Sequence, residues 1–155
     1  MAVQTSISSG PAVGLAGQLA TTEGAEFTSR LAEETIAPGL FVVPGDTNPE
    51  TTCALPDAAG EIDGTAHTPV GVAVLDPYRE SADYTDGASI RILTKGEMYV
   101  NVTAAASLVG GKVYVVHTTG AVRGTTDAGA TVLPNAVFLT AGTGVQKIKL
   151  LGAFA

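Results

Sequence analysis

The chain has 155 residues, 45% of them hydrophobic but only 5% aromatic and none Trp, so any core is filled by small and β-branched side chains. Such a length suits one domain that buries about 70% of the surface exposed when unfolded, and 19 Gly with 8 Pro disfavour a helical bundle. A net charge of −7 argues against nucleic acid as a partner, the single Cys53 leaves no disulfide framework or thiolate zinc site, and no segment reaches the roughly 20 apolar residues of a membrane helix.

The N-terminal stretch is small and polar around Gly10-Pro11 and Gly14, with neither helical nor alternating periodicity. It reads as an extended arm, residues 1–27, ahead of a β domain, residues 28–155. An arm of this composition either frays or is tied down by a partner. Thr28-Ser29 followed by Arg30-Leu31-Ala32-Glu33-Glu34 offers two turns of helix closed by Pro38-Gly39. Phe27, Leu31 and Ile36 make a poor helical stripe, so the same residues also suit an extended run along a sheet.

Leu40-Phe41-Val42-Val43 is the first of seven short β-like runs that reach Leu151, and Pro44-Gly45-Asp46 stops it. Residues 46–68 are acidic and loop-like, long enough to be either functional or mobile. Val70, Val72 and Val74 then alternate with smaller residues, as do Ile90 and Ile92 with Arg91, and Met98, Val100 and Val102 with Tyr99, Asn101 and Thr103. Lys95-Gly96 between the last two runs is short enough for a hairpin. Val113 and Val115 follow the turn at Gly110-Gly111, with Ala121-Val122-Arg123 after it. Ala136 to Thr140 and Gln146 to Leu151 come last, with Ile148 and Leu150 facing away from Lys147 and Lys149. Regular spacing with short connections predicts an all-β fold, a small antiparallel β-barrel or sandwich of jelly-roll-like kind, preceded by its extended arm.

Charge is unevenly spread. Residues 1–89 hold 13 acidic and 2 basic side chains, and residues 90–155 hold 2 and 6, giving −11 and +4. Either the halves of neighbouring copies attract head to tail, or one domain intermixes the charges on its surface.

Catalytic chemistry is not legible. His67 and His117 lack a second ligand at metal spacing, and Asp76, Glu80, Asp83 and Asp86 miss the pattern of a calcium loop. Gly110-Gly111-Lys112 is followed by Val113 where a phosphate loop needs Ser or Thr, and no nucleophile elbow occurs. Cys53 has no neighbouring base to activate it and reads as a buried small side chain. The chain is therefore expected to be no enzyme and to need no cofactor and no metal. Tyr78, Tyr84, Tyr99 and Tyr114 lie on four separate segments, as core margins or as a sugar-binding face.

Read in order, Gly14-Leu15-Ala16-Gly17-Gln18-Leu19-Ala20 and Ser29-Arg30-Leu31-Ala32-Glu33-Glu34 open a series of motifs that resembles the structural cement, or head decoration, proteins of tailed bacteriophages. The resemblance runs on through Ile36-Ala37-Pro38-Gly39. It continues with Val70-Gly71-Val72-Ala73-Val74, Lys95-Gly96-Glu97-Met98-Tyr99-Val100, Gly111-Lys112-Val113-Tyr114-Val115 and Ala136-Val137-Phe138. It implies a small all-β protein made in the host cytoplasm that binds the major capsid protein on the outer surface of the virion capsid, as a homotrimer, without contact to nucleic acid or membrane. The expected capsid or subunit interface comprises Gly14, Leu15, Leu19 and Arg30, with Arg91, Lys147 and Lys149 as basic contacts. Competing expectations are another virion part, such as a tail tube or fibre-base subunit, and a carbohydrate-binding β-module built on the tyrosines.

Overall fold

The computed structural model of the chain describes residues 14–66, 68–79, 81–126 and 129–152, with backbone alone at 104–106. The fold is all-β and sandwich-like, with one short helix among the described residues. Its elements are β1 (Glu26–Ala32), β2 (Phe41–Pro44), β3 (Thr52–Ala54), α1 (Ala59–Ile62) and β4 (Gly71–Ala73) in the first part. These are followed by β5 (Ser89–Ser107), β6 (Lys112–Val116), β7 (Val122–Arg123), β8 (Ala130–Phe138) and β9 (Gly142–Leu150).

Strand β5 belongs to two groups of strands. Its first half pairs with β1 and β4, and the second half with β7 and β9. In each group the pairings run round a circuit: β1-β3-β2-β4-β5 returns to β1, and β5-β7-β6-β8-β9 returns to β5. The pairs β1–β3 and β5–β7 are parallel and the other pairings described are antiparallel, so the arrangement is mixed where the sequence predicted antiparallel strands throughout.

The hairpin expected at Lys95-Gly96 does not form. The chain runs straight through as one 19-residue strand. Gly96 takes φ +128, a conformation that needs no Cβ, and the register against β1 slips there, Glu26 pairing Lys95 but Phe27 pairing Leu93. A one-residue slip turns a strand over. Ile90 and Ile92 therefore face one apolar cluster, with Ile36, Val42 and Tyr84, whereas Met98, Val100 and Val102 join Leu93 in a second. That second cluster also takes Phe41 and Val72 from the first group and Phe138, Ile148 and Leu150 from the other, so the larger core spans both.

Of residues 28–34, open to a helical or an extended reading, 28–32 lie in strand β1, which begins at Glu26. The acidic stretch 46–68 is more ordered than a loop: it contributes β3 and α1, whose Ile62 is fully buried in the larger core. The alternation read from β6 and β9 holds, with Val113, Val115, Ile148 and Leu150 buried.

Candidate functional site

The arm's described part is built into the sheet. Gly17 N–H donates to Tyr99 O (2.8 Å), Tyr99 N–H to Gln18 O (2.9 Å) and Ala20 N–H to Glu97 O (2.9 Å), so residues 17–20 line the edge of β5. Leu75 N–H donates to Gly17 O (2.8 Å) and ties the arm to the segment after β4. The Tyr99 ring lies where a side chain on Gly14 would stand, which is why the arm passes there with glycine. Residues 1–13 of the expected arm lie outside the described residues.

Of the predicted interface residues, Leu19 packs on the larger core and Leu15 stays 64% exposed. Arg91, on β5, lays its guanidinium over the Phe27 ring, 3.7 Å from its centroid. Leu15 and Leu19 from the arm, Leu75, Pro77 and Tyr78 from the segment after β4, and Arg91 together wall a cleft of about 440 Å³. Tyr78 is 95% exposed on its rim, and Asp76 Oδ1 accepts from Tyr78 N–H (3.0 Å) to set the turn. Beyond it a recess of about 320 Å³ reaches Ser29, Ser89 and Tyr84. Tyr84 is buried and its hydroxyl donates to Val74 O (2.5 Å), while Arg79 lies 4.8 Å from its ring centroid. Burial, followed by the Asp76 charge, pushes the Tyr84 phenol up, against the pull of Arg79.

The other predicted contacts are occupied internally. Arg30 donates through Nη1 to Pro49 O and to Thr52 O (3.2 Å), fastening β1 to the start of β3 and the segment before it. Lys147 and Lys149, side by side on β9, share Glu97 of β5 at 3.7 Å each. Lys95 pairs with Glu26 at 2.8 Å, so charges of the acidic and basic parts of the sequence do intermix. The structure thus brings Leu15, Leu19 and Arg91 together and leaves Arg30, Lys147 and Lys149 elsewhere. Sequence reasoning did not place Leu75, Pro77 and Tyr78 beside the arm, because only the folded β4–β5 connection brings them there.

Cys53 is fully buried and its thiol is pushed up to about 11 by burial, so it is inert. His117 Nε2 meets Thr131 Oγ1 at 2.6 Å; His67 and Glu80 lie outside the described residues. Among the described residues no three His, Cys, Asp or Glu side chains converge to hold a metal ion.

A family model described as structural cement protein (E217 gp24/Pam3 gp6) matches residues 3–151. The chain belongs to that family. A solved chain reported under "The capsid of Myoviridae Phage XM1" is similar in fold, with a TM-score of 0.74 over 100% of both chains at 18% identity. No curated protein matches the sequence. By that membership the protein is a structural cement protein.

Proposed function

We propose that this cement protein acts as a clip on the outside of the head, as a homotrimer, with its arm and the cleft beside it facing neighbouring subunits. Each strand circuit is read as a small closed barrel, the two sharing β5, so the clip is stiff along its length. The observation that carries the reading is the arm: backbone hydrogen bonds hold residues 17–20 against β5 while Leu15 is left 64% exposed. An apolar side chain held out by a rigid backbone loses little entropy when a partner covers it. A ligand of the assembled shell that does not bind the dispersed subunits stabilises the shell, and repetition over many sites multiplies a modest contact.

Residues 1–27 are assigned to attachment and residues 28–155 to the body. The described arm contacts come from residues 14–20, so a protein without residues 1–13 is expected to keep its β fold. Particles reassembled with it, or with Leu15→Asp, are expected to release DNA at a lower temperature than particles with the full chain. Equal heat resistance of particles with and without the protein would overturn the proposal.

A further inference from the structure

Leu108 and Val109 stand out from the turn between β5 and β6, 71% and 70% exposed. The turn is stiff. Gly110 N–H donates to Phe138 O (2.8 Å), Gly111 N–H to Leu108 O (2.8 Å), and Phe138 N–H returns to Gly111 O (3.0 Å). Residues 107–111 contain no charge, and the exposed Lys112 follows at the foot of the turn. The result is a fixed apolar knob with a cation beside it.

The cleft walled by Leu15, Leu75, Pro77 and Tyr78 has the complementary character. Its guanidinium, Arg91, is stacked on Phe27, and Asp76 lies in the adjoining recess, with Asp83 and Asp86 exposed on the connection that follows. Charge matches at the margins: Lys112 flanks the knob, and Asp76, Asp83 and Asp86 outnumber the cations Arg79 and Arg91 around the cleft and its recess. The knob and its own cleft cannot meet. The turn is bonded to Phe138, and the pairings Phe138↔Ile148, Ile148↔Met98 and Met98↔Leu19 set β8, β9 and β5 between it and the arm, about 20 Å measured across the strands.

We propose that the Leu108–Val109 turn of one copy seats in the cleft of a second copy, whose Tyr78 closes over it. The proposal rests on the trimer reading above and supplies its contact. A patch meeting a different patch is a head-to-tail contact, and three such contacts close into a ring.

The test uses the full chain, with the oligomer read by native mass spectrometry. The unaltered protein is expected to be a trimer, and Leu108→Asp with Val109→Asp to be a monomer of unchanged melting temperature, since both side chains are in water before assembly. A Val109→Cys/Tyr78→Cys double variant is expected to give disulfide-linked dimers and trimers on mild oxidation, and each single variant to give none; buried Cys53 takes no part. A trimer that survives the two aspartates, or Val109→Cys crosslinking to itself, would overturn the knob-in-cleft seat and leave the trimer standing. An unaltered chain that is monomeric would overturn both.

Discussion

The two strand groups that share β5 are held together in different ways. In the group with β6 to β9, long ladders do most of the holding: β5 and β9 stay in register from Gly96↔Leu150 to Val102↔Gly144. In the group with β1 to β4, strands β2, β3 and β4 have only four, three and three residues, and side chains reaching to backbone take over. Glu33 accepts from Asp46 N–H, Thr47 N–H (both 2.9 Å) and Thr52 Oγ1 (2.6 Å). Glu34 accepts from Leu55 N–H (2.9 Å), and Glu61 from Asp57 N–H (2.8 Å). Three of the thirteen carboxylates of residues 1–89 thus accept from backbone inside this group, Glu33 and Glu34 beside the short strands and Glu61 at the helix, where a longer ladder would supply the acceptors. The lesson is that an acidic stretch can be an internal scaffold before it is a surface for partners.

The sharpest way to break this comparison is at the core both groups share. Phe138 is fully buried there, and Phe138→Ala is expected to cost about 3–5 kcal/mol. Because the same cluster holds Phe41 and Val72, denaturant unfolding followed by far-ultraviolet circular dichroism should remain one transition at lower midpoint. Two separated transitions would show that the groups are independent. A smaller and more local effect is expected from Tyr84→Phe, which strips the donor from Val74 O and should cost about 1–2 kcal/mol. Its signature is faster amide exchange in residues 76–88, with the β5–β9 ladder unchanged.

The smallest expected effect is a titration. Hydrogen bonds from Thr52, first, and from Thr47 and Asp46 hold the Glu33 carboxyl below its ordinary value of 4.5, against the opposing push of burial. A depressed folded value means that the contribution is complete above the unfolded value and is lost as pH falls through the folded one. The amide resonances of Asp46 and Thr47 should therefore shift with acid below about pH 4.5, and Glu33→Gln should abolish that titration. Amides that ignore pH in the unaltered protein would refute the scaffold role of this carboxylate.

The sequence showed the second strand group more clearly than the first, for a physical reason. Val113, Val115, Ile148 and Leu150 alternate with polar residues because one face of each ladder is wet. Strand β3, Thr-Cys-Ala, is too short to carry any period, and what sets it is Glu33 and Arg30, about twenty residues away in the chain. The Lys95-Gly96 pair carries a hairpin signal, yet the glycine serves to turn the strand over, which only the partners of β5 decide. The candidate site was half legible: the arm glycines and Leu15 belong to a motif, but the cleft also needs Leu75, Pro77 and Tyr78, and nothing in their own neighbourhood marks them. Gly110-Gly111 was visible as a turn, but that Leu108 and Val109 before it stand exposed is seen only in the folded chain.

The single strand β5 also fixes how the molecule bears a load. Its two ends are gripped by different neighbours, so a tug that tries to part the two groups is transmitted along a covalent backbone and meets ladders on both sides lying parallel to the pull. Bonds so arranged yield together in shear and not one at a time like a zip, which suits a structural cement protein.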